Sequence, residues 1–115
     1  MKELVNMIRL AEIAPKFERG QLVCHKRYGY RGVVVDYDIK CKADEAWYQS
    51  NKTQPGKSQP WYHVLVDATA QNTYAAEENL QADPSGQPVR HPLVGHFFGE
   101  FVDGRYIRND QPWPS

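Results

Sequence analysis

The chain has 115 residues, 41% of them hydrophobic, enough for one domain with a single core and too few for two. No apolar run reaches the length of a membrane span, and Lys2, Glu3, Arg9 and Glu12 interrupt the apolar opening, so neither a transmembrane helix nor a secretory signal is expected and a cytoplasmic location is. Fourteen basic side chains balance fourteen acidic ones, and a net charge of zero argues against strong indiscriminate nucleic-acid binding, which grows with every phosphate neutralised.

The distribution of charge carries more than its sum. Between Pro15 and Arg31, Lys16, Arg19, Lys26, Arg27 and Arg31 oppose only Glu18; between Ala76 and Asp103, Glu77, Glu78, Asp83, Glu100 and Asp103 oppose only Arg90. A basic pole and an acidic pole are expected if folding keeps the two groups apart. Cys24 and Cys41 lie in no Cys-x-x-Cys pair and read as reduced thiols.

Taken in chain order, Met1, Leu4, Val5, Ile8 and Ala11 follow helical spacing up to Pro15, which predicts an amphipathic helix over Met1–Ala14 that packs on its own domain or on a partner. Gln21–Lys26 reads as a first strand. Tyr28-Gly29-Tyr30-Arg31-Gly32 then supplies a hairpin turn, with Gly29 and Gly32 available for positive φ. In Val33–Asp38, alternation places Val33, Val35 and Tyr37 on one face and Val34, Asp36 and Asp38 on a wetter one, as in a small antiparallel barrel. Ile39–Pro60 is long for a connection, with a short helix expected around Asp44–Gln49 and with Trp47 and Tyr48 either pinning the loop to the barrel or meeting a partner. Trp61–Asp67 is apolar on both faces and reads as a strand near the centre of the sheet.

Thr73–Ala75 reads as a fourth strand, Glu77–Leu80 as a 3₁₀ turn and Leu80–Ala82 as a last short strand. Pro92, Val94, Phe97, Phe98 and Phe101 recur at helical spacing with Gly104 as a stop, which predicts a C-terminal helix that Gly95 and Gly99 leave dependent on the barrel. The resulting division is residues 1–15 as a helical appendage, residues 16–110 as an antiparallel β-barrel domain of about five strands with its C-terminal helix, and residues 111–115 as a frayed tail.

Few patterns point to chemistry. Gly56-Lys57-Ser58 imitates the end of a phosphate-binding loop, but Asn51 stands where that loop needs glycine. His25, His63, His91 and His96 lack metal-ligand spacing, and neither a nucleophile elbow nor a zinc-protease motif is present. No catalytic, cofactor-binding or metal-ligating residue is therefore assigned. What remains is His25-Lys26-Arg27-Tyr28-Gly29-Tyr30-Arg31, which interleaves cations and aromatics on a hairpin tip. Such a tip meets phosphates and flat apolar surfaces, or is a solvated turn whose rings fold back on the core.

Several ordered pieces bear on the choice: Phe17-x-x-Gly20-x-x-Val23-x-His25, Gly29-Tyr30-x-Gly32-Val33-Val34, Asp38 with Cys41, Asp44-Glu45-x-Trp47, Gln59 to Asp67, and Tyr74-x-Ala76-Glu77-Glu78-Asn79-Leu80. With them the chain resembles the YccV-like family of hemimethylated-DNA-binding domains, which includes the bacterial heat-shock protein HspQ. His91–Phe98 with Arg105-Tyr106-Ile107 is more similar to the version carried by some eukaryotic F-box proteins. The resemblance implies a small SH3-like barrel without enzymatic activity or cofactor, binding double-stranded hemimethylated DNA. Tyr28 or Tyr30 would then touch the added methyl in the major groove and Lys26, Arg27 and Arg31 the phosphates. It also implies an alternative, an adaptor or specificity factor in ATP-dependent proteolysis that binds a protease and its protein clients. The expected contact residues for DNA or a protein partner are His25, Lys26, Arg27, Tyr28, Tyr30, Arg31, Trp47 and Trp61. No membrane contact is expected, and a homo-oligomer stays open.

Overall fold

The computed structural model describes residues 14–51 and 54–109, and in them β structure dominates. Strands β1 (Leu22–His25), β2 (Arg31–Asp38), β3 (Trp61–Val66), β4 (Asn72–Ala76) and β5 (Leu80–Ala82) form one antiparallel sheet in the order β4-β3-β2-β1-β5. The helix expected over Met1–Ala14 falls outside the described residues apart from Ala14, as does the tail 111–115.

The sheet is strongly bent but open. Val23, Val34, Tyr62, Val64, Ala75 and Leu80, contributed by all five strands, meet with Phe17 in one buried cluster. A flat sheet could not bring its two edges, β4 and β5, to the same cluster. A single 3₁₀ turn, Glu77–Asn79, joins those edges, yet β4 and β5 do not pair with each other, so the expected closed barrel is corrected to an open five-stranded sheet.

The opposite face of the sheet is covered as well. Leu22, Val33, Val35 and Leu65 pack with Val89, Phe97, Phe98 and Tyr106 from the C-terminal third of the chain. Because both faces are covered, Val33, Val34 and Val35 are all fully buried, each contributing about 1.5–3 kcal/mol through removal from water. The wetter face expected for β2 is thus confined to the half beyond its bulge, where the register against β3 shifts between Val34 and Asp36.

The C-terminal segment departs from its helical spacing. Only Val94–Phe97 is helical (α2); Phe98–Val102 (β6) and Arg105–Arg108 (β7) form a two-stranded antiparallel sheet. Asp103 and Gly104 have φ of 52° and 78°, the pattern of a two-residue type I′ hairpin turn, for which Asp-Gly is a preferred pair. That turn, with glycines at 95 and 99 weakening a longer helix, outweighs the spacing of the apolar residues.

Gly20 lies where β7 crosses the start of the sheet. Its N–H donates to the Val34 carbonyl and its carbonyl accepts from Tyr106 N–H, while φ is +91° and an added Cβ would lie 1.9 Å from the Tyr106 oxygen. Gly29 also takes positive φ, but Gly32 does not: it sits inside β2, where a Cβ would meet the Leu65 carbonyl oxygen at 2.5 Å. The glycine at 32 is therefore needed for strand-to-strand approach rather than for a turn.

The connection from residue 39 to residue 60 carries helix α1 (Glu45–Ser50), capped by the Asp44 carboxylate, which accepts from Trp47 N–H at 2.8 Å. Its far end is tied down by Tyr48, whose hydroxyl donates to the Gln54 and Pro55 carbonyls, and by the Lys57–Glu45 ion pair.

Candidate functional site

The β1–β2 turn is built around His25. Its ring is buried, and Nδ1 accepts from the backbone N–H groups of Arg27 and Tyr28, both at 3.1 Å. Accepting at Nδ1 places the ring proton on Nε2. Burial, then the nearby Arg27 charge, lowers the pKa of the imidazole below its usual value. Tyr28 stacks on the ring with centroids 4.7 Å apart and Tyr30 lies at 5.1 Å. Lys26 N–H donates to the Asn79 carbonyl, which fixes the turn against the 3₁₀ segment. The result is a stiff turn whose cationic side chains, Lys26 and Arg27, are exposed and have no acidic partner among the described residues.

Arg31 does not join them. Its guanidinium donates to Asp83 at 2.8 Å, to Asp67 at 3.0 Å and to the Gln87 carbonyl at 2.6 Å, a fork that spends all three nitrogens inside the protein. Arg19 is likewise paired with Asp36, and Arg105 with Glu18. The basic pole read from the sequence therefore reduces, at its centre, to Lys26 and Arg27. The acidic pole is partly engaged in the same way: Glu77 accepts from the Tyr62 hydroxyl, Glu78 from Gly56 N–H and Asp83 from Arg31, while Glu100 and Asp103 are exposed.

Beside the turn runs a groove of about 390 Å³. Tyr28 and Tyr30 line it from the turn, Trp47 from α1, and Trp61, His63 and Tyr74 from β3 and β4. Tyr28 is 51% exposed and Trp47 36%. Trp61 is fully buried, and its ring N–H donates to the Gly56 carbonyl, so it supports the groove from beneath through Trp47 and Tyr74, whose centroids lie 6.0 and 5.3 Å away. Tyr74 is held by donating to Asp38 at 2.7 Å, and burial with that bond raises its pKa. Tyr30 is held by Thr73 at 2.8 Å, and burial raises its pKa too. Among the described residues no carboxylate lines the groove; its polar lining includes Asn51, Asn72, Asn79, Thr73 and the two histidines, His25 and His63.

Of the eight residues expected at a contact, the structure gathers His25, Tyr28, Tyr30, Trp47 and Trp61 around this groove, leaves Lys26 and Arg27 exposed on the adjoining turn, and sends Arg31 elsewhere. Sequence reasoning missed Tyr74, His63 and the asparagines. Tyr74, His63 and Asn72 enter through the β3–β4 register, in which His63 faces Tyr74, while Asn51 comes from the end of α1 and Asn79 from the 3₁₀ turn. Among the described residues no group of three or more His, Cys, Asp or Glu is placed to hold a metal ion.

Comparison with known proteins adds an independent finding. Residues 15–105 match the family model described as hemimethylated DNA-binding protein YccV like. F-box only protein 21 of Homo sapiens and of Pongo abelii are each 38% identical over 93 residues, 78% of this chain, as is the Mus musculus protein. The matched segment spans 15% of the length of those relatives.

Proposed function

The chain belongs to the YccV-like family of hemimethylated-DNA-binding proteins, and from that premise we propose that it is a DNA-binding module whose contact surface is the β1–β2 turn with the adjoining groove. The observation that carries this reading is the state of the cations. Lys26 and Arg27 are exposed without acidic partners on a turn stiffened by His25, whereas the neighbouring arginines 19 and 31 are spent on internal carboxylates. Two such charges supply a small electrostatic term and position the module on the phosphates without indiscriminate affinity. Tyr28, half-exposed beside them, offers the flat apolar contact that an added methyl in the major groove can meet.

The test is a salt titration on methylated, hemimethylated and unmethylated versions of one duplex. Lys26→Ala and Arg27→Ala should each lower the slope of log K against log salt by about one, uniformly over the three duplexes. Tyr28→Ala should reduce the difference between hemimethylated and unmethylated DNA and leave the slope unchanged. Slopes unaffected by both charge substitutions would overturn the assignment of this surface.

A second reading, docking of proteins in a degradation adaptor, is favoured by the zero net charge and by relatives that are F-box proteins. It requires that groove substitutions change capture or turnover of a client protein while the module shows no DNA affinity near physiological salt.

A further inference from the structure

The groove itself has properties that phosphate contact does not use. The rings of Tyr28, Tyr30, Trp47 and Tyr74 line it, and among the described residues neither a carboxylate nor a Lys or Arg side chain does; the Asp38 carboxylate behind Tyr74 is engaged by that residue's hydroxyl. The side-chain amides of Asn72 and Asn79 make no hydrogen bond among the described residues, so donors and acceptors stand open at an otherwise aromatic surface. Immediately outside, Lys26 and Arg27 lie between His25 and Tyr28 in the chain, and the Arg27 guanidinium carbon is 5.8 Å from the centre of the Tyr28 ring.

These features select the ligand class. An alkylated ammonium would favour the aromatic rings but would be opposed by the Arg27 guanidinium beside Tyr28 and find no carboxylate among the described lining residues. A neutral planar heterocycle with hydrogen-bonding edges, attached to an anionic backbone, satisfies every part: rings to stack on, amides to read its edge, cations for its phosphates. The volume, about 390 Å³, falls at the small end of the range for ligand sites, roughly 300–1,000 Å³.

We infer that the groove receives a single nucleobase extruded from the duplex, stacked among Tyr28, Trp47 and Tyr74 with its polar edge toward Asn72 and Asn79. This rests on the proposed DNA contact and deepens it: the module reads one base outside the helix rather than only the groove edges of paired bases. Extrusion costs the protein the unpairing and unstacking of that base, a cost that is lowest where the base has no pairing partner.

The experiment compares a hemimethylated duplex with the same duplex in which one target base faces an abasic site, scanning that position along the strand, with the single strand as a third probe. Binding is read by fluorescence anisotropy at fixed salt. The expected result is a position at which removing the opposite base tightens binding about tenfold or more, with Tyr28→Ala and Asn72→Ala, both at exposed positions, reducing that gain at least about fivefold while the salt slope stays as in the wild type. Binding of all duplexes with equal affinity and no effect of either variant would overturn base extrusion and leave the DNA-binding surface standing. Preference for the single strand over every duplex would also overturn it. Absence of binding to every probe would overturn both, and groove-dependent capture of extended peptides in its place would assign the groove to a protein ligand.

Discussion

Replacing Arg31 with glutamine separates structural from functional charge in this domain. The guanidinium is 26% exposed and holds two carboxylates that are less exposed still, Asp67 at 15% and Asp83 at 5%. Without it the two acids face each other across the position it vacates, and Asp83 keeps only its bonds from Ser85. Breaking a buried ion pair from one side costs about 3–5 kcal/mol, and the partial exposure of Arg31 brings the expected loss to about 2–4 kcal/mol. In a domain of this size that lowers the melting temperature by roughly 10–25 °C.

The pH profile sharpens the same test. Asp67 is held below the usual carboxylate range first by the Arg90 backbone N–H and further by Arg31. Burial works to raise Asp83, but hydrogen bonds from Arg31 and Ser85 outweigh it and keep its pKa low. A carboxyl whose folded pKa lies below its unfolded value contributes stability that is present above about pH 4 and lost as the pH falls through the folded value. Arg31→Gln should therefore be much less stable than the wild type at pH 7 and approach it toward pH 3, as followed by urea denaturation at a series of pH values. Its DNA salt slope, measured where the variant is folded, should equal that of the wild type. Wild-type stability at pH 7, or a slope lowered as by Lys26→Ala, would refute the reasoning.

Gly32→Ala should cost more than about 2 kcal/mol in denaturant, since its Cβ would collide with Val64 Cγ1 and the Leu65 oxygen in the middle of the sheet; an unchanged midpoint would show that β2 and β3 separate easily. Gly104→Ala, at φ of 78° in the Asp103-Gly104 turn, should cost about 1 kcal/mol or more, read as a shift in melting temperature. The His25 imidazole should titrate below pH 6.5 by NMR and show the Nε2–H tautomer. Because its folded pKa is depressed, its contribution to stability is complete above about pH 6.5 and declines as the pH falls toward the folded value, so a midpoint above 6.5 would refute the turn geometry.

The central strands were legible because their signals are local. Val33–Asp38 and Trp61–Asp67 are short β-branched or aromatic runs bounded by Gly, Pro or Asp, and the structure places strands there with one end of each moved by one or two residues; Leu80–Ala82 is a strand over the expected residues. The short helix expected around Asp44–Gln49 is α1, with Asp44 as its cap rather than its first residue. The C-terminal hairpin was misread because Phe97, Phe98 and Phe101 serve two periods at once, and the Asp-Gly turn that decides between them was taken as a helix stop. The fate of each cation was not legible at all. Arg27 and Arg31 look alike in the sequence, and only the folding of Asp67 and Asp83 against one of them distinguishes the two. The groove was half visible for the same reason: Tyr28, Tyr30 and Trp47 were chosen for their residue types, whereas Tyr74 and His63 reach it through strand register.

The hairpin of β6 and β7 has a kinetic consequence. Its Tyr106 N–H donates to the Gly20 carbonyl, and Arg105 bridges to Gln21, so the first sheet residues wait for a segment more than eighty positions downstream. During synthesis the apolar side of the sheet formed by Leu22, Val33 and Leu65 stays incompletely covered until that ribbon has left the ribosome. A chain cut short before Tyr106 would leave the part of this surface under Tyr106 permanently open, as a site for self-association.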